Sequence, residues 1–217
     1  MTTKLSKKVD DGLHGDQRFV KPVLAWLDEY LVEQVMLAYN QAKAAHYAQW
    51  RSDGRRYFDH VRGVAEIIRD EIEPHRYFSK QVVANLLMIA LFHDLKEDRS
   101  WVLPLKYMQK LFGSQVSDAV RLLSKDEDSK PVYFERMAAS RNMVVLIVKL
   151  CDRLYNMRDL EGVLPEHKRK QLFETRGKVL PLCDVLESLL NKRQKHIAKY
   201  LRTELVKICD KVEASLK

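Results

Sequence analysis

Three cysteines, seven glycines and six prolines are few for a chain of 217 residues. Cys151, Cys183 and Cys209 are odd in number, far apart and set among apolar or helical neighbours. That pattern excludes a disulfide framework and a zinc knuckle, and it fits reduced thiols in a cytoplasm. So little glycine and proline leaves too few turns for a sandwich or barrel. No apolar run is long enough to span a membrane, and residues 1–18 lack the apolar core of a signal peptide. A soluble cytoplasmic protein is expected. No segment alternates with a strand period over more than a few residues, and neither an internal repeat nor a low-complexity linker is visible.

What remains is helical. Long stretches rich in Ala, Leu, Lys, Glu, Arg and Gln favour helices. Apolar positions recur at helical spacing over residues 23–50 and 57–72, broken by Gly54. Ser79 reads as an N-cap, and residues 82–95 are apolar nearly all round, as a buried helix is. Short amphipathic helices are expected over 104–112, stopped by Gly113, and over 116–123, before a polar loop at 124–131. The β-branched run at 143–150 could pass for a strand, but its surroundings favour a buried helix. Pro165 opens a helix to about residue 175, Gly177 and Pro181 interrupt, and one or two long amphipathic helices fill 182–216. The fold class expected is all-α, with a mobile arm at 1–20, one domain at 21–190 and a C-terminal helix at 191–217 packed on it or extending it.

The formal charge of +8 concerns partners, not fold. It suits a polyanion such as a nucleotide polyphosphate. Basic residues alternate with acidic ones instead of forming an aromatic-interleaved stripe, which weighs against nucleic acid, although the run at 192–202 keeps that reading open.

Charge at the end of the apolar run 86–92 is the sharpest feature. His93, Asp94, Glu97 and Asp98 follow it directly, and burying charge is expensive unless it is paired or metal-bound. On a continuous helix His93 and Glu97 share one stripe, and Asp94 and Asp98 the next. Two further positions have the same character: His60 at the start of its helix, and Asp152 beside an apolar helix. His60, His93, Asp94 and Asp152 would give two nitrogens and two oxygens, a mixture that fits manganese, iron or zinc better than calcium. Such a set leaves positions open for water and a substrate oxygen, as a catalytic metal requires. Singly, each has a plainer reading: a core histidine, a polar helix end, an ion pair of Asp152 with Arg153.

The order of the three motifs resembles the His-Asp (HD) phosphohydrolases, and among them the hydrolase domain of the RelA/SpoT alarmone enzymes. The matching elements are Arg51 with Gly54, Tyr57 and His60; His93-Asp94-Leu95-Lys96-Glu97-Asp98; the run from Lys149 through Asp152 and Asn156 to Arg158; and Glu174-Thr175 with Leu180-Pro181-Leu182. The resemblance covers about residues 35–190 and implies a single HD-domain helical bundle with a C-terminal amphipathic extension. It implies that His60, His93, Asp94 and Asp152 hold Mn2+, and that Glu97 and Asp98 serve catalysis. Arg51 and Asn156 would contact the nucleotide, with Tyr57, Lys96 and Arg158 beside them. The activity implied is hydrolysis of the 3′-pyrophosphate of ppGpp or pppGpp by a small alarmone hydrolase, since no synthetase half follows.

Five positions depart from the family pattern. Arg55-Arg56 replace Glu-Pro, Val61 replaces a proline, Val179 a tyrosine, and Asp159 a threonine. The metal set is complete, whereas the groups around the base differ, so guanine and adenine alarmones both stay open. Two other readings share the sequence: hydrolysis of another 3′-phosphorylated nucleotide, and an antitoxin-like protein that neutralises a toxic partner or its product. Oligomeric state is left open.

Overall fold

The computed structural model describes residues 19, 25–52, 54–125 and 130–216. The arm expected over residues 1–20 lies outside these, apart from Phe19, whose buried ring stacks on Tyr39 at 4.7 Å. Among the described residues the regular elements are helical. They are α1 (Glu29–Ala45), α2 (Tyr57–Ile67), α3 (Lys80–Phe92), α4 (Leu95–Arg99), α5 (Leu105–Phe112), α6 (Ser114–Leu123), α7 (Lys130–Ala139), α8 (Met143–Arg158), α9 (Pro165–Glu174), α10 (Leu180–Leu189) and α11 (Lys195–Ala214). None is long and apolar enough to cross a membrane.

Two helices form the centre. In α3 the residues from Val83 to Phe92 are buried, because α1, α2, α6 and α8 pack around it. The Ser79 side chain accepts from the Val82 amide, as an N-cap does. The β-branched run of α8 is helical, with Val145, Ile147 and Val148 fully buried. Burial from several sides overrides strand propensity there, and Asn142 caps the start by accepting from the Val144 and Val145 amides at 3.1 and 3.3 Å.

Helices α2 and α8 approach closely at Gly63. A Cβ there would lie 2.1 Å from Tyr155 Cε2, so the absence of a side chain lets the Tyr155 ring lie against His60, 5.0 Å between centroids. π-helical turns continue α2 over Ile68–Ile72 and join α9 to α10 over Thr175–Val179. Gly177 and Pro181 therefore do not interrupt the chain as expected. Pro181 sits in the first turn of α10, where its missing N–H costs nothing. The stretch 182–216 is two helices, and α11 packs along α8, α9 and α10 through Leu201, Leu205, Cys209 and Val212. All three cysteines are buried free thiols.

One local difference shapes the site. The helix carrying His93 stops at Phe92, and a turn at His93 and Asp94 precedes α4. His93 and Glu97 therefore do not lie on one continuous helix.

Candidate metal centre

His60 comes from the first turns of α2, His93 and Asp94 from the turn after α3, and Asp152 from the middle of α8. Their polar atoms converge. His60 Nε2 lies 3.2 Å from His93 Nε2, 3.4 Å from Asp94 Oδ2 and 3.4 Å from Asp152 Oδ1. His93 Nε2 lies 3.1 Å from Asp94 Oδ2 and 3.6 Å from Asp152 Oδ1. His60, His93 and Asp152 each offer one ligand atom within 4.8 Å of the others. The two imidazoles are 2% and 3% exposed.

The chemistry of these donors fits a divalent cation. His93 Nδ1 faces the Ala90 carbonyl at 2.7 Å. A carbonyl only accepts, so Nδ1 carries a proton, and Nε2 is the nitrogen turned to the cluster, which gives its lone pair to an ion once its own proton leaves. That nitrogen meets a second imidazole nitrogen and two carboxylate oxygens. Acceptors converging on one buried point need a positive charge between them. Burial pulls the His93 imidazole down, but Asp94 and Asp152 outweigh it and hold its pKa well above the usual range. Burial pushes Asp94 and Asp152 up. His93 and His60 for Asp94, and Lys149 with the two histidines for Asp152, reverse that and leave both carboxyls well below the usual range.

Surrounding groups orient the carboxylates. Tyr57 donates its hydroxyl to Asp94 Oδ2 at 2.7 Å, and burial together with Asp94 raises the phenol pKa and keeps it protonated. Lys149 donates to Asp152 Oδ2 at 2.8 Å, and Asn156 to Asp152 Oδ1 at 2.6 Å. Burial alone would lower the Lys149 pKa, but Asp152 and Tyr133 raise it, so a buried ammonium balances the aspartate.

The rim of the site is built by a tight loop. Gly54 has φ +80°, a left-handed conformation that glycine adopts without strain, and Arg51 donates its amide to the Arg55 carbonyl at 2.8 Å. Arg51 and Arg55 thereby share one carboxylate, Asp159, which lies 3.5 Å from the Arg51 guanidinium and pairs with Arg55. Arg51 also donates to Asn156 Oδ1 at 3.2 Å, which links the rim to Asp152.

Of the other residues expected here, Asp98 accepts from Gln49 at 2.8 Å and lies against Tyr57. Glu97 points elsewhere: it accepts from the Lys125 amide at 2.6 Å and pairs with the Lys125 ammonium at 3.7 Å. Lys96 sits half-buried on α4. Arg158 is taken up by Glu71, at 2.7 and 3.0 Å, and by Glu204 at 3.1 Å, so the structure joins it to α11 and not to the cluster. Sequence reasoning missed His46, Gln49, Tyr155 and the roles of Lys149 and Asp159. For Lys149 the signal was present: a lysine three residues before Asp152 shares its helix face.

An all-helical bundle that converges two histidines and two aspartates, in the chain order His, His-Asp, Asp, defines the class of HD-domain proteins. No family model matches the chain. It is 31% identical over 173 residues to the bifunctional (p)ppGpp synthase/hydrolase SpoT of Escherichia coli K12, covering 74% of this chain and 23% of that protein. It is 35% identical over 147 residues to the GTP pyrophosphokinase rsh of Brucella melitensis, covering 63% of this chain and 18% of that protein. The chain thus spans less than a quarter of the length of these relatives. A solved structure, described as a metazoan ortholog of SpoT that hydrolyzes ppGpp, superposes with a TM-score of 0.63 at 25% identity, covering 88% of this chain and 99% of that one. The chain belongs to the RelA/SpoT-type HD hydrolase domains.

Proposed function

We propose that the protein hydrolyses the 3′-pyrophosphate of ppGpp or pppGpp with Mn2+, giving GDP or GTP and pyrophosphate, in the cytoplasm. The observation that supports this reading most is the convergence of His60, His93 and Asp152 within 4.8 Å, with Asp94 3.1 Å from His93, in a chain similar to ppGpp hydrolases. His60, His93, Asp94 and Asp152 are the residues that would hold the ion. Bound Mn2+ supplies charge neutralisation at phosphoryl oxygens and lowers the pKa of bound water.

The protein's own groups do the rest. Tyr57 and Asn156 hold one oxygen each of Asp94 and Asp152. Arg51 and Arg55 exchange their shared Asp159 for substrate phosphates, to which guanidinium binds through paired N–H groups. Asp98 takes the proton from the attacking water, a general-base role worth ~100- to 10,000-fold. The water oxygen joins the phosphorus attached to the ribose 3′ oxygen, the P–O3′ bond breaks, and the 3′ oxygen takes up a proton. Glu97, tied to Lys125, has the lesser part in this scheme.

Hydrolysis in 18O-water tests the reaction. The label is expected in pyrophosphate and not in the nucleotide. Label on the ribose 3′ oxygen, or no pyrophosphate from folded protein that binds Mn2+, would overturn it.

A further inference from the structure

Asp98 sits on α4, one five-residue turn of helix, and so short a helix does not hold a side chain in place by itself. What fixes it comes from the segment after α1. His46 is 1% exposed and stacks on the Tyr57 ring at 5.0 Å between centroids. Its Nδ1 lies 2.7 Å from Gln49 Oε1. Arg99 Nε donates to the same oxygen at 3.3 Å, and Gln49 Nε2 donates to Asp98 Oδ2 at 2.8 Å.

The direction of every hydrogen bond in this chain is forced. Arginine carries donors only, so the Gln49 atom facing Arg99 is the oxygen, and the amide nitrogen faces Asp98. That oxygen carries no hydrogen, so His46 must donate through Nδ1–H. His46 Nε2 is buried without a partner, and burial lowers the imidazole pKa, which keeps a second proton off. Asp98 consequently meets an N–H and can answer it only with an acceptor oxygen.

We propose that His46 and Gln49 are positioning residues that lock Asp98, with one of its carboxyl oxygens tied down by the Gln49 N–H. The proposal rests on the reading of Asp98 as the group that takes the water's proton. The same lock reaches the metal ligands, since Tyr57 stacks on His46 and donates to Asp94.

The variant Gln49→Glu keeps an oxygen toward His46 and Arg99 and replaces the N–H toward Asp98 by a second oxygen. Misplacing a catalytic group by about 1 Å costs about 100-fold in rate, and kcat of Gln49→Glu should fall by about 10- to 100-fold on that scale. KM for ppGpp and the affinity for Mn2+ should stay as in the wild type, the signature of a contact that serves the transition state. A scaffold role would move KM, metal affinity and thermal unfolding together. Wild-type kcat in Gln49→Glu, or a raised KM with kcat intact, would overturn the lock.

A second measurement needs no variant and no turnover. 15N NMR of the metal-free wild type should find the His46 proton on Nδ1. A proton on Nε2 would mean that the Gln49 amide is reversed, and the lock fails. A wild type that releases no pyrophosphate overturns the hydrolase reading and the role of Asp98 together. An active wild type beside an equally active Gln49→Glu overturns the lock alone.

Discussion

Glu73 follows the π-helical turn of α2, is 5% exposed, and has both carboxylate oxygens shut off from water. Burial pushes its pKa from 4.5 to about 7, and the Phe78 and Tyr77 amides and Arg193 offset only part of that. A carboxyl with a raised pKa in the folded state binds its proton more tightly there than in the unfolded chain. Below pH 4.5 both states hold the proton and Glu73 costs nothing. As pH rises the unfolded chain ionises first and stability falls, until the folded group ionises as well near 7. Raising the pKa from 4.5 to about 7 corresponds to about 3 kcal/mol lost between pH 4.5 and 8. Glu73→Gln cannot ionise, so its unfolding free energy should lack this loss and exceed that of the wild type increasingly toward pH 8. At ~2–4 °C per kcal/mol for a domain of this size, the Tm gap should open by about 6–12 °C across that window. Metal-free protein, unfolded by heat and by urea at pH 5, 6, 7 and 8, gives the comparison. Taking the difference between the two proteins removes the titrations they share. Parallel stability curves would mean instead that Glu73 ionises in the folded protein as easily as in water.

Three further outcomes are expected. Gly63→Ala drives a methyl into Tyr155 and should cost about 1–3 kcal/mol, as overpacking does; denaturant unfolding reads it, and an unchanged midpoint would contradict the close approach of α2 and α8. Because Asp94 and Asp152 hold a proton on His93, metal must displace that proton, so Mn2+ affinity should fall as pH is lowered from 8 to 6, with proton release. Calorimetry in buffers of different ionisation enthalpy measures this, and proton-neutral binding at pH 7 would contradict it. His93→Ala with Asp94→Ala should abolish Mn2+ binding and lower turnover by more than about 100-fold, the usual cost of losing charge stabilisation at a phosphoryl centre. If that double variant protects cells from alarmone excess as well as the wild type does, contact with a partner replaces hydrolysis.

The parts of the fold that could be read in the sequence are those whose cause is local or periodic. Ser79 announces α3 because a cap acts within three residues, and the apolar surroundings of 143–150 favoured the buried helix α8 over a strand. His60, His93, Asp94 and Asp152 are singled out together because the order of their motifs resembles the HD family, each residue alone having a plainer reading. The break at His93 and Asp94 could not be read, since no glycine or proline marks it and the residues on both sides are helical. Glu97 and Arg158 bind Lys125 and Glu204, 28 and 46 residues away in the chain, and contacts at that range leave no periodic trace. Gln49 escapes for the same reason. A neutral amide between Trp50 and a histidine three residues earlier carries no signal until Asp98, 49 residues on, is brought against it.

In the proposed function this centre removes a 3′-pyrophosphate with metal bound to His60, His93, Asp94 and Asp152. Pyrophosphate release from ppGpp and pppApp, measured in parallel with and without Mn2+, tests it most directly. Stoichiometric pyrophosphate from at least one of them, dependent on Mn2+, is the result predicted, and the ratio of the two rates reports what Asp159 and Val179 do to base choice. Folded protein that binds Mn2+ and releases pyrophosphate from neither would contradict it.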